Sequence, residues 1–109
     1  LRNRGVLIVG SGNIVHNLRA VRRGVADNEA YDWAQAFDAA IQKQIANGQL
    51  GELQNFQALG EVARLAHPTY DHYLPLLYAA GAASANEIPR FFNTGFQAAS
   101  ISMRSVIWG

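Results

Sequence analysis

The sequence predicts an α/β fold, part of a mixed or parallel-sheet α/β sandwich with helices packed on the sheet. Three observations carry that prediction. Val6-Leu7-Ile8-Val9 is an unbroken apolar run between Gly5 and Gly10, the pattern of a strand buried on both faces of a parallel sheet. Trp33, Phe37, Ile41 and Ile45 recur every four residues, as along one face of a helix. Ile88–Asn93 and Ile101–Trp108 read as strands, with Gly95 in the turn between them.

Each element follows from local chemistry. Leu1-Arg2-Asn3-Arg4-Gly5 resembles the end of a helix closed by a glycine, so residues 1–109 are expected to be the C-terminal portion of a single larger domain. Gly10-Ser11-Gly12-Asn13 forms a tight turn, where glycine permits positive φ and close backbone approach. A short helix is expected from about Ile14, then a loop through Gly24–Asn28. In the helix over 31–47, Ala34, Ala36 and Ala40 fill beside the periodic face, and Asn47-Gly48 supplies the stop. Leu50, Leu53, Phe56 and Leu59 continue at helical spacing as one or two shorter helices, punctuated by Gly51 and Gly60. A last helix is predicted over Thr69–Ala82, with Thr69 as N-cap and Asp71 in its first turn. Tyr73, Leu76, Leu77 and Ala80 would be its buried stripe, and Pro75 would kink it.

Composition removes several functions. Half of the 109 residues are apolar, 16% are charged and the net charge is +1. That is globular, with no electrostatic footprint for nucleic acid. Cysteine is absent, which rules out disulfides and thiolate chemistry and leaves nitrogen and oxygen as the only metal donors. No apolar run approaches the roughly 20 residues of a membrane span, and no signal-peptide pattern opens the chain. A soluble, cytoplasmic protein is the expectation.

Gly10-x-Gly12-x-x-Val15 invites a phosphate or dinucleotide reading, but Val15 stands where a third small residue belongs, and a plain tight turn explains the glycines. The histidines say more. His16 follows the glycine turn at the end of the apolar run, among Ser11, Asn13 and Asn17. A lone histidine is more often a core or cap residue; one in that setting can ligate a metal or exchange protons near neutral pH. His67 and His72 lie five apart with Asp71 between, which is not the spacing of a helical chelate. Asp71 fits a helix-terminus charge as well as an orienting partner for histidine. Tyr70, Tyr73, Tyr78, Phe91, Phe92, Phe96 and Trp108 could line an aromatic pocket or fill the core. Two histidines cannot complete a catalytic metal site, where three protein ligands are usual.

At three segments the sequence resembles the C-terminal half of the class III extradiol ring-cleavage dioxygenases, the LigB superfamily, in its DOPA dioxygenase-like branch. They are Ser11-Gly12-Asn13-Ile14-Val15-His16-Asn17-Leu18-Arg19, His67-Pro68-Thr69-Tyr70-Asp71-His72-Tyr73-Leu74-Pro75-Leu76-Leu77, and Ser100-Ile101-Ser102-Met103-Arg104-Ser105. The intervening Trp33-Ala34-x-x-Phe37 helix matches as well. The resemblance implies a metal-dependent enzyme that opens a catechol with O₂, using non-haem Fe(II) or Zn(II). It makes His16 the acid–base residue and, with His72, a metal-site residue. Ser11, Asn17 and His67 become substrate-side candidates. Two further family histidines belong to motifs this chain lacks, so its partners would be a catechol-type molecule, O₂ and the N-terminal half of the same protein, with a homo-oligomer also open. A non-enzymatic metal-binding or protein-interaction relative is the alternative.

Overall fold

The computed structural model describes residues 1–109 in full. Helices come first: α1 (Asp32–Ala46), a 3-10 stretch over Leu50–Leu59, α2 (Glu61–Ala66) and α3 (Leu74–Ala82). Four short strands follow: β1 (Arg90–Phe92), β2 (Phe96–Gln97), β3 (Ile101–Ser102) and β4 (Ser105–Ile107). The class is α/β, with the helices packed against small antiparallel sheets. No helix is long and apolar enough to cross a membrane.

The periodic face of α1 does what its spacing implies. Ala34, Phe37, Ile41 and Ile45 are fully buried, while Trp33 is half-buried and stacks on Tyr31 at 5.1 Å. Gly48 ends the helix at φ +71°, a conformation glycine takes without penalty. Leu53 and Phe56 from the 3-10 stretch, Ala63 and Ala66 from α2, and Tyr73 complete a single core with Ile14 and Val15. Phe56 and Tyr73 pack at 4.3 Å between ring centres. The Tyr73 hydroxyl donates to the Leu53 carbonyl at 2.7 Å, so its polar end is satisfied, and burial raises its pKa. Each large buried side chain contributes about 1.5–3 kcal/mol.

The strands form one interrupted hairpin. β1 pairs with β4 (Phe91 opposite Val106) and β2 with β3 (Phe96 opposite Ser102). Residues 93–95 face the shorter 103–104, a bulge closed by the Met103 N–H donating to the Gly95 carbonyl at 2.8 Å. The turn falls at Ala98-Ala99, not at Gly95, and both alanines take positive φ (51° and 64°). Their carbonyls explain it: Ala98 accepts from the Arg22 N–H and Ala99 from the Tyr31 N–H. Those long-range bonds offset a backbone cost of roughly 1–2 kcal/mol per residue.

Three further expectations are corrected. Val6–Val9 is not a buried strand: Leu7 is 81% and Val9 75% exposed, and Leu7 to Gly12 make no backbone hydrogen bond within the chain. Hydrophobicity marked the run as a strand, but nothing in these 109 residues pairs with it. Residues 13–17 form no helix, bending at Ile14 and Val15. His16 bridges to Ile101, and the Ser102 N–H donates to the Val15 carbonyl at 3.0 Å. Helix appears only at Leu18–Ala20, where the Asn17 side chain accepts from the N–H groups of Arg19 and Ala20. Finally, α3 begins at Leu74, with residues 68–73 in turns. Pro75 therefore lies in the first helical turn, where its missing N–H costs nothing. The Thr69 hydroxyl donates to Asp71 and caps no helix.

Arg2 ties the start of the chain to its later part, pairing with both carboxylate oxygens of Glu87 and donating to the Ala82 carbonyl at 2.9 Å. This pairing, with the Ser84 N–H, holds the Glu87 carboxyl down at about 2. A depressed carboxyl contributes stability that is complete above its unfolded value near 4.5 and is lost as pH falls toward 2. Thermal midpoints measured from pH 5 to pH 2 should therefore drop with acid, and Glu87→Gln should flatten that slope. An unchanged slope in the variant would show that the clasp does not contribute.

Candidate functional site

His16 and His72 come from separate elements and meet face to face. His16 projects from the non-helical segment 13–17, and His72 from the turn preceding α3. Their rings stack with centroids 3.4 Å apart and planes 11° from parallel. Partial burial, and then the neighbouring His72, lower the His16 pKa, so its neutral, proton-accepting form is favoured. Asp71 Oδ2 lies 3.7 Å from His72 Nε2. The Thr69 hydroxyl holds the Asp71 carboxyl below its usual range by donating to Oδ1 at 2.5 Å. With Asn17, Arg19 and Pro68, these residues line an open cleft of about 240 Å³.

The glycine turn serves this pair. Neither Gly10 nor Gly12 has positive φ. Both are there for closeness, against the backbones of Pro75 and His72 respectively. No helix starts behind them, so the amide-lined helix terminus that holds a phosphate is missing, and the dinucleotide reading loses its structural basis.

Of the substrate-side candidates, only Asn17 reaches the cleft. Ser11 is exposed and does not line the cleft. Asn17 borders it, but its amide is committed: Oδ1 accepts from Arg19 and Ala20, and Nδ2 donates to the Leu65 carbonyl at 2.7 Å. His67 is 2% exposed, packed edge-on against Phe37. Its Nε2 bonds the Ile14 carbonyl at 2.5 Å, and Nδ1 has no partner. Burial lowers its pKa, leaving it a neutral core residue that ties segment 13–17 to the end of α2. Aromatic residues likewise disperse. Tyr73 is in the core and Tyr78 is exposed, while Phe92 and Trp108 border an apolar groove of about 430 Å³ beneath Val6–Val9, which meets the cleft only at His72. The sequence reasoning missed Thr69 and Arg19 as cleft residues; only the Thr-x-Asp spacing, typical of a side-chain-closed turn, hinted at the first.

Imidazole nitrogens suit a non-haem metal in kind. In number they fall short, because no group of three or more histidine or carboxylate side chains is placed to hold an ion. Orientation matters too: in-plane lone pairs of parallel rings do not converge, so ligation of one ion by both requires a ring to turn. Proton exchange at His16 requires no such change.

Residues 1–104 match the family described as the catalytic LigB subunit of aromatic ring-opening dioxygenase. A protein named 4,5-DOPA dioxygenase extradiol from Escherichia coli (strain K12) is 37% identical over 108 residues, covering 97% of this chain and 40% of the relative. One of the same name from Beta vulgaris is 36% identical over 89 residues, covering 79% of this chain and 31% of the relative. The crystal structure of an uncharacterized E. coli K12 protein superposes with a TM-score of 0.86 at 35% identity, covering 97% of this chain and 44% of that one. The chain thus spans less than half the length of each of these relatives.

Proposed function

The chain belongs to the LigB family of aromatic ring-opening dioxygenases, and on that premise we propose that it supplies part of an extradiol dioxygenase acting on a catechol such as DOPA with O₂. The stacked pairing of His16 with His72 in one open cleft is the observation that carries this reading. His16, kept neutral by its surroundings, accepts a proton from a catechol hydroxyl and returns it as the ring opens. His72 lies alongside, its Nε2 near the Asp71 carboxylate, which favours an oriented imidazole. Fe(II), or Zn(II) in its place, would be held by His72 together with donors outside these residues, leaving the His16 ring free to take the proton, and would gather catechol and O₂ at one centre.

Activity belongs to the complete protein, since these residues hold too few donors. The test is oxygen uptake by that protein with DOPA under Fe(II), followed by the visible absorbance of the ring-opened semialdehyde. A folded, metal-loaded protein that leaves catechols intact would reject the proposal in favour of a metal-binding or protein-interaction role.

A further inference from the structure

We infer that Gly12 is a positioning residue for the histidine pair, acting through the backbone of His72. It takes its functional meaning from the reading above, but the geometric claim stands apart from it. A Cβ on Gly12 would lie 2.2 Å from the His72 carbonyl oxygen, 3.0 Å from its carbon and 3.3 Å from Pro75 Cγ. The two nearest atoms are backbone, so no side-chain rotation relieves the contact. The His72 turn would have to retreat by about 1 Å to restore ordinary van der Waals separation.

The same short stretch of chain grips both imidazoles. The Asn13 N–H donates to the His72 carbonyl at 2.9 Å, and the Asn13 side chain donates to the Ser102 carbonyl at 3.0 Å. Three residues on, the His16 N–H donates to the Ala66 carbonyl at 3.0 Å, and His16 bridges to Ile101. Residues 12–13 thus set the height of the His72 turn, while β3 and α2 set His16. A ring separation of 3.4 Å holds only while the Gly12–His72 contact stays tight. By contrast, a Cβ at Gly51 would meet nothing within 4 Å.

The test is Gly12→Ala beside Gly51→Ala, read first by NMR of the metal-free protein. In wild type and Gly51→Ala, His16 and His72 ring protons should show mutual NOEs and upfield ring-current shifts. In Gly12→Ala both signatures should vanish while the Phe37 and Tyr73 core resonances stay in place. A retained stack would overturn the inference. Should Gly12→Ala fail to fold, replacing the Asn13 amide with an ester removes the N–H to His72 without adding an atom. Loss of the ring contacts there supports the inference, and their persistence overturns it. In the complete protein, Gly12→Ala should lower ring opening about 100-fold, the cost of a misplacement of about 1 Å. If the stack is lost in a protein that never opens a catechol, the positioning role stands and the function proposed above fails.

Discussion

Replacing His16 with alanine is expected to slow catechol opening by the complete protein about 10²–10⁴-fold, the range contributed by a positioned acid–base group. The fold should survive. The backbone of His16 makes the contacts that matter to the architecture, donating to Ala66 and bridging Ile101, and alanine keeps both. Stopped-flow absorbance of wild type and His16→Ala, alongside their circular dichroism, checks the two halves of this expectation. Undiminished turnover in a folded variant would remove His16 from the chemistry. Loss of turnover with loss of fold would be uninformative about proton transfer, so His16→Gln, closer in size and still polar, serves as the companion variant.

The largest stability effect is expected at Asp38. It sits on the inner face of α1 and is 3% exposed. Arg104 Nε lies 3.1 and 3.0 Å from its two oxygens, Arg104 Nη2 lies 2.9 Å from Oδ2, and the Ser102 hydroxyl donates at 2.6 Å. This cluster fastens α1 to the segment after β3. Asp38→Ala leaves a largely buried guanidinium without its counter-charge, which costs up to about 3 kcal/mol. For a domain whose total stability is about 5–15 kcal/mol, that is a large share of the whole. Urea titration should show the midpoint falling steeply. Replacing both partners by leucine should recover much of the loss, because the penalty lies in the stranded charge and not in the absence of the pair. Equal destabilisation by the single and double variants would contradict this account.

Local pattern made α1 legible, because four apolar residues at constant spacing have one geometric solution. The convergence of His16 and His72 was legible for a related reason: a histidine behind a glycine turn and another beside a helix start can both face one crevice, and the two rings do meet. Asp38 was invisible. An aspartate within a helix announces nothing until Arg104, 66 residues away, arrives. At His67 the sequence shows a polar ring but not the Phe37, Phe56 and Tyr73 rings packed around it. Thr69 and Asp71 looked like a helix start, yet their side chains satisfy each other and free Pro75 to open α3. At Val6–Val9 the apolar pattern predicts a strand, and the segment is instead exposed and unpaired. Strand formation is a property of neighbours, and these lie beyond what a single segment can declare.

That bare ribbon has its own consequence. From Leu7 to Gly12 the main chain keeps its donors and acceptors unspent within the molecule, beside greasy side chains turned toward solvent. Such an edge is sticky toward any extended polypeptide. Solubility of these residues in isolation should therefore depend on concentration, and whatever zips onto the ribbon also shields the groove beneath it.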